Sequence, residues 1–302
     1  MRMMSVDERP TKQCKTMAEG ITFTDVFSNL EQLSFSRDEN RMIWQNQFPQ
    51  KHLFPELKLL EVSEDESTVF PHAILQRFHN VEKLELNCCS YEEIFSCEDV
   101  EKHSGMLAQI KSLSLYRLDD LKQMWKQDSK LDLILQNLEI VQVNWCGSLG
   151  CDRLMSLVAP STAKSLVQLK QMMIKKCNMM TEVISSNGVV TGDEVILKNL
   201  WSLHLNDLSS LTSFCSENYS FKFPHLYRLT LKKCPKIKFF SSGVVNTPEL
   251  EQIWHDGTNY IWDGDLNATI QGIHKKLNAK TSPEDCGGPS ALFPSSTSSS
   301  TI

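Results

Sequence analysis

Apolar residues recur along the chain at one spacing, and the polar residues fall between them in step. Phe27-x-x-Leu30-x-x-Leu33-x-Phe35, Phe54-x-x-Leu57-x-x-Leu60-x-Val62 and Phe78-x-x-Val81-x-x-Leu84-x-Leu86 follow a single template. It continues through Leu107, Ile110, Leu113 and Leu115, then Leu135, Leu138, Val141 and Val143, then Leu166, Leu169, Met172 and Ile174. Leu197, Leu200, Leu203 and Leu205 form a seventh copy, and Phe223, Leu226, Leu229 and Leu231 an eighth. The alternation Leu-x-Leu puts two apolar side chains on one face of a short strand and the intervening residues on the other. Each copy therefore predicts one strand.

The second template position falls at 30, 57, 81, 110, 138, 169, 200 and 226, so the intervals are 27, 24, 29, 28, 31, 31 and 26, with a mean of 28. Leucine-rich repeats run to about 20–29 residues and carry Leu-x-x-Leu-x-Leu-x-x-Asn/Cys. The ninth consensus position is filled in copies three to eight by Cys89, Leu118, Cys146, Cys177, Leu208 and Cys234, and in the first two copies by Asp38 and Asp65. Phase alone thus assigns four cysteines to the core. A buried thiol there acts as a small apolar group whose weak S–H reaches a neighbouring carbonyl.

One copy buries five or six such side chains at roughly 1.5–3 kcal/mol each. Ordering its backbone costs about 1–2 kcal/mol per residue, so no copy stands alone. Stacking buries each wedge against two neighbours and makes the array the folding unit. The predicted fold is an α/β leucine-rich-repeat solenoid, a horseshoe of about eight irregular repeats with a parallel sheet on its concave face. Ile237 and Phe240 illustrate how the chain returns across the convex side. The charged stretches between strands, such as Glu92-Glu93, Glu98-Asp99, Asp119-Asp120 and Gly188 to Glu194, read as surface loops or short helical turns.

The solenoid is expected over residues 27–246. Residues 1–26 fit no copy and read as a remnant or partial cap. Over 247–279 the period breaks, and Leu250, Ile253, Trp254, Trp262, Leu266, Ile270 and Ile273 are read as a C-terminal cap, the last three at helical spacing. Residues 280–302 form a Ser/Thr-rich tail too poor in apolar groups to order itself.

With 302 residues, 41% hydrophobic, and a net charge of -6, the composition is that of a soluble folded protein without a broad basic footprint for nucleic acid or anionic lipid. No Gly precedes a Lys and no Gly-x-Gly occurs, which removes the phosphate-binding loop and the dinucleotide fingerprint. Gly188 and Gly192 have nucleophile-elbow spacing, but Val190 between them has no hydroxyl. Cys88, Cys89, Cys97 and His103 match no established zinc pattern and read as packing. No enzyme activity, cofactor or metal is expected. The N-terminus lacks a signal peptide, so a reducing, cytoplasmic setting is expected for the 10 cysteines. The sequons at Asn218 and Asn267 then carry little meaning, and no apolar run reaches membrane-span length.

Outward strand positions form the candidate binding face. They begin acidic with Glu61, Ser63, Glu85 and Asn87, and pass through Ser114, Tyr116, Gln142 and Asn144. Met173, His204, Asn206 and Thr230 lie among the basic residues that close the row. The candidate protein-binding residues are Tyr116, Arg117, Trp145, Lys175, Lys176, Arg228, Lys232 and Lys233. Aromatic rings and cations of this kind concentrate binding energy at interfaces, and the acidic-to-basic gradient favours a partner of complementary polarity.

The stretches Phe-Pro-His-Leu-Tyr-Arg-Leu-Thr-Leu-Lys-Lys-Cys-Pro-Lys-Ile-Lys (223–238), Phe-Pro-Glu-Leu-Lys-Leu-Leu-Glu-Val (54–62) and Leu-Asp-Asp-Leu-Lys-Gln-Met-Trp-Lys (118–126) resemble one family. So do Tyr91 to Phe95 and Thr247-Pro248-Glu249-Leu250-Glu251. It is the leucine-rich-repeat region of plant intracellular nucleotide-binding immune receptors of the coiled-coil class, and the likeness covers roughly residues 27–270. The resemblance implies a plant-defence module that recognises a pathogen effector or a host protein, beside a nucleotide-binding switch domain. Here the phosphate-binding loop is missing and nothing before residue 27 leaves room for the switch. The expectation is a truncated receptor, a gene fragment or a repeat-only accessory protein. A cysteine-type repeat of a ubiquitin-ligase substrate receptor stands as the alternative, although its Ile-Thr-Asp-x-Gly-Leu continuation and an F-box are absent.

Overall fold

The computed structural model describes residues 29–37, 54–71, 74–75, 78–95, 109–125, 136–146, 154–185, 194–256, 258–261 and 264–280. Phe27, Asp38, Leu107, Leu135, Gly188, Val190, Gly192, Cys97, His103 and Trp262 lie outside them, as do the segment 1–26 and the tail from 281.

In chain order the strands are β1 (Gln32–Ser36), β2 (Leu59–Ser63), β3 (Lys83–Asn87), β4 (Glu93–Phe95), β5 (Ser112–Tyr116), β6 (Gln123–Trp125), β7 (Ile140–Asn144) and β8 (Gln171–Lys175). They continue with β9 (Glu194–Ile196), β10 (Ser202–Asn206), β11 (Ser220–Lys222), β12 (Arg228–Lys232), β13 (Val245–Asn246), β14 (Gln252–His255) and β15 (Thr258–Ile261). Two helices accompany them, α1 (Pro160–Ser165) before β8 and α2 (Leu266–Lys280) at the end. The long sheet has ten strands in the order β1-β2-β3-β5-β7-β8-β10-β12-β14-β15. Its first nine strands are parallel, and β15 closes it antiparallel against β14.

Each expected strand lies where the Leu-x-Leu spacing puts it, with its two apolar residues buried and the residue between them only partly so. The register keeps template positions side by side: Leu84 pairs Leu113, Leu113 pairs Val141, and Leu203 pairs Leu229. A single buried cluster runs from Leu30 to Ile273. In the eighth repeat Phe223, Leu226, Leu229, Leu231, Cys234, Ile237 and Phe240 are all buried. There Phe240 stacks on Phe214 of the previous repeat, with ring centroids 4.4 Å apart.

The Phe-Pro-x-Leu lead-in has a physical cause. Leu226 N–H donates to the Phe223 carbonyl at 3.3 Å and Leu57 N–H to that of Phe54 at 3.2 Å. These are four-residue turns with Pro at their second position, where its fixed φ suits the turn. Ile237 N–H closes a like turn onto Cys234 across Pro235 at 3.3 Å. Leu250 N–H closes another onto Thr247 across Pro248 at 3.2 Å. The segment read as a cap therefore opens as a further repeat, and β14 is a ninth parallel strand rather than the eighth being last. Its Leu-x-Leu signature is hidden because His255 stands where the second Leu would, buried all the same.

Asp119-Asp120 lie in a turn, as expected, and Glu98-Asp99 lie outside the described residues, but other outer returns are extended. Glu93 lies in β4, which pairs with β6, and Glu194 opens β9 in the sheet β13-β11-β9. Extended returns let these outer segments hydrogen-bond to their neighbours as the inner strands do. The helix α2 buries Leu266, Ile270 and Ile273, the residues placed on one helical face by their spacing. Its N-terminus is capped by Asp265, whose Oδ1 accepts from Ala268 N–H at 2.8 Å.

Candidate protein-binding face

The residue after each of the nine parallel strands of the long sheet has a left-handed backbone. Arg37, Glu64, Cys88, Arg117, Trp145, Lys176, Asp207, Lys233 and Asp256 have φ between 30 and 62°. None is glycine, and left-handed backbone is uncommon for such residues. The repeat supports it: the turn drives the next residue, the ninth position, into the core. It also aims the left-handed N–H at the following repeat. Cys88 N–H donates to Tyr116, Arg117 to Asn144, Trp145 to Lys175 and Lys176 to Asn206, each onto the main-chain carbonyl at 2.8–2.9 Å.

The thiols behave as the consensus requires. Cys89 Sγ reaches the Val62 carbonyl at 3.4 Å, Cys177 that of Val143 at 3.8 Å and Cys234 that of Leu205 at 3.4 Å, each one repeat back. Asp65 fills the same position in the second repeat, where the Tyr91 hydroxyl donates to it at 2.6 Å and Ser67 donates N–H and hydroxyl. Burial pushes the Tyr91 phenol up, so it stays a donor.

These turns create two parallel rows at the rim of the long sheet. The strand-end row reads Tyr116, Asn144, Lys175, Asn206, Lys232 in strict register. Next to it the left-handed row reads Arg117, Trp145, Lys176, Asp207, Lys233. Seven of the eight expected binding residues belong to these rows. Tyr116 and Trp145 are 42% and 39% exposed. Lys176 lies over the Trp145 ring, 3.8 Å from its centroid, and Lys233 pairs with Asp207 at 3.4 Å. Lys175 and Lys232 have no ion-pair partner among the described residues.

Arg228 is not with the others. It opens β12 at the opposite end of the strand from Lys232, about 13 Å away at the usual strand rise. Its neighbours are Tyr227, Glu251, Gln252 and Trp254, which with it line a notch of about 150 Å³. Reading outward positions within eight strands missed Tyr227, one residue before its strand, and Trp254, inside the presumed cap. The signal was a large ring at a position that faces water.

At the other end of the face Glu61 and Glu85 are cross-strand neighbours. Burial, then the Glu61 charge, raises the Glu85 pKa, and Lys83 offsets part of this. Asn87 Nδ2 donates to Glu61 Oε1 at 2.6 Å.

The leading edge, before each strand, is built differently. Glu31, Lys58, Glu82, Lys111, Glu139 and Lys170 alternate in sign from repeat to repeat. Lys111 meets Glu82 at 3.1 Å and Lys170 meets Glu139 at 2.8 Å. A shallow groove of about 430 Å³ along this edge is lined by Glu82, Lys111 and Glu139 together with Asn80, Gln109 and Asn137. Both Lys111 and Lys170 are thus held in ion pairs with the preceding repeat. Among the described residues no three His, Cys, Asp or Glu side chains converge as metal ligands, and no helix is long and apolar enough to cross a membrane.

The family model of RPS2-like leucine-rich repeats of plant disease resistance proteins matches residues 29–178 and 150–253. A solved leucine-rich-repeat protein of Leptospira interrogans shares 15% identity over 75% of this chain and 74% of that one, with a TM-score of 0.28. No curated protein matches.

Proposed function

Because the chain belongs to the RPS2-like leucine-rich-repeat family of plant disease resistance proteins, we propose that it is a non-catalytic recognition module of plant defence. It binds a pathogen effector or a host protein in the cytoplasm, on the concave face of its long sheet. The observation that carries this reading is the pair of adjacent rows at the strand ends. They place Tyr116, Trp145, Lys175 and Lys232 on one continuous, partly exposed surface. Aromatic rings and cations set in a rigid frame lose little entropy on binding, which is why such groups act as anchors.

The bonds that hold these rows are main-chain bonds between repeats, so the surface is preorganised before any partner arrives. The family likeness adds a nucleotide-binding switch domain as a candidate partner.

The test is co-purification from plant tissue with the wild-type chain and with a Lys175→Glu, Lys232→Glu variant. Capture of an effector, a host target or an immune-receptor switch domain by the wild type, lost in the variant, is the expected result. Partners that survive charge reversal unchanged remove the reading. Capture of a ubiquitin-ligase adaptor instead would select the substrate-receptor alternative.

A further inference from the structure

The long sheet changes character along its length. Outward positions of β2 and β3 carry Glu61 and Glu85, whereas β8, β10, β12 and β14 carry no carboxylate at all. Those four strands present Lys175, Arg228 and Lys232, and none of the three has an ion-pair partner among the described residues. This differs from the leading edge, where Lys111 and Lys170 pair with Glu82 and Glu139. The cations are left over by the internal structure.

Beside Arg228 is the notch. Tyr227 is 56% and Trp254 46% exposed, so about half of each residue is open to solvent. At about 150 Å³ it admits one side chain and little more. Glu251 stands in its wall and repels an acidic occupant, while Arg228 in the same wall repels a basic one. An uncharged apolar group satisfies both and gains the faces of the two rings.

We infer that this end of the sheet binds an acidic segment of a partner protein, with one apolar side chain of that segment seated between Tyr227 and Trp254. The inference rests on the reading that the sheet face is the binding surface, and it names the chemistry of the partner. Geometry sets the segment's scale. Lys232 and Arg228 bracket one strand, about 13 Å apart, and Lys175 lies two strands over, about 10 Å. An extended chain covers such spans in about four residues. Acidic residues flanking one apolar residue at that distance can meet the cations and the notch together.

The test uses fluorescein-labelled ten-residue peptides and fluorescence anisotropy with the full chain. One peptide is Asp/Glu-rich with a single central Trp, the second has Ala in place of the Trp, and the third has Lys in place of every acid. The first is expected to bind about tenfold tighter than the second, the worth of one well-seated ring, with the third not binding. Affinity should fall with added salt, since the exposed cations are screened beyond about 8 Å at physiological ionic strength. Tyr227→Ala with Trp254→Ala should erase the difference between the first two peptides, and Lys175→Glu with Lys232→Glu should abolish binding of both. These side chains are exposed, and an unchanged circular dichroism spectrum checks that each variant folds.

The inference is overturned if the acidic Trp peptide fails to bind, if the Lys peptide binds as well, or if the notch variant leaves peptide affinity unchanged. A Tyr116→Ala, Trp145→Ala variant separates the two readings. If it alone loses the peptide, the central surface stands and the notch inference falls; if the notch variant alone weakens the acidic Trp peptide to the level of the Ala peptide, the notch inference stands and Tyr116 and Trp145 lie outside the peptide's footprint.

Discussion

Asn267 stands in for the main chain of a further repeat opposite Ser241. Its Oδ1 accepts from Phe240 N–H at 2.7 Å and Ser241 N–H at 3.2 Å, and its Nδ2 donates to the Ser241 carbonyl at 2.8 Å. One repeat earlier the corresponding N–H groups, of Phe214 and Cys215, both go to the Phe240 carbonyl at 2.8 and 3.1 Å. Earlier still, Val183 and Ile184 donate to Phe214 at 3.0 and 2.9 Å. A side-chain amide thus ends a main-chain ladder that would otherwise leave donors unpaired. The inner ladder ends the same way, with Lys233 N–H on Asp256 Oδ1 at 2.8 Å.

Replacing Asn267 by Ala leaves two main-chain donors without their acceptor. The expected cost is about 2 kcal/mol, the usual penalty for unsatisfied groups, concentrated in the last two repeats because stability in a solenoid is local. Asn267→Asp keeps the acceptor and loses only the donor, so it should cost less. Native-state amide exchange reads this directly: Phe240 and Ser241 should exchange faster in the Ala variant while Leu84 and Leu113 do not. Uniform acceleration along the chain would sink the idea.

The left-handed row acts on stability through its backbone rather than through side-chain contacts. Arg117 has φ of 52°, where a β-branched side chain is strained and glycine is at ease. Arg117→Val should lower stability by about 1–2 kcal/mol, and Arg117→Gly should be close to neutral although it removes more atoms. Urea midpoints for the two variants decide it; equal losses would mean that the side chain, not the backbone, matters at this site.

The spacing of Leu, Val and Ile made the inner strands and their register legible, because burial on one face of a strand leaves no freedom of phase. Cys89, Cys177 and Cys234 were legible for the same reason. The left-handed row was not: Arg37, Glu64, Trp145 and Asp207 share no residue type, and the conformation is imposed by the core position that follows them. The ninth strand hid behind His255. The extended outer returns were equally hidden, since three residues such as Glu93-Ile94-Phe95 are too few to show a period. In the candidate site, the strand-end cations followed from phase, but the Tyr227–Trp254 notch joins two repeats and needs the register of β12 with β14.

Gly243 should tolerate no side chain. A Cβ built there would lie 2.1 Å from the Tyr219 carbonyl oxygen and 2.5 Å from its carbon, both main-chain atoms held by their own bonds. Ser241 Oγ donates to that same carbonyl at 3.1 Å. Gly243→Ala must therefore push two outer segments apart. The expected result is a loss of at least about 2 kcal/mol, in the range of overpacked cores, visible as a lower melting temperature. A variant that melts with the wild type would show that this outer turn is free to shift.

The buried thiols make stability depend on alkaline pH. Burial pushes Cys89 and Cys215 up to about 11 and Cys234 up to about 12, from an ordinary value of about 9. Because the folded-state values are raised, the folded chain holds these protons more tightly than the unfolded chain does. The contribution is complete below about pH 9 and is lost as pH rises through 11 to 12. Lysines and tyrosines titrate in the same window, so the comparison must be with a variant. Cys234→Ala removes one such thiol and should lose less stability between pH 9 and 12 than the wild type, while starting lower at pH 7 because a core methyl replaces the larger sulfur. Alkylation gives an independent measure: at pH 8 exposed Cys88 should react first among the described cysteines, and Cys89 and Cys234 only on unfolding. If Cys234 reacts as fast as Cys88 in the native chain, or if the variant follows the wild-type pH curve, the ninth-position thiols are not the closed core groups that their bonds to the preceding repeat make them.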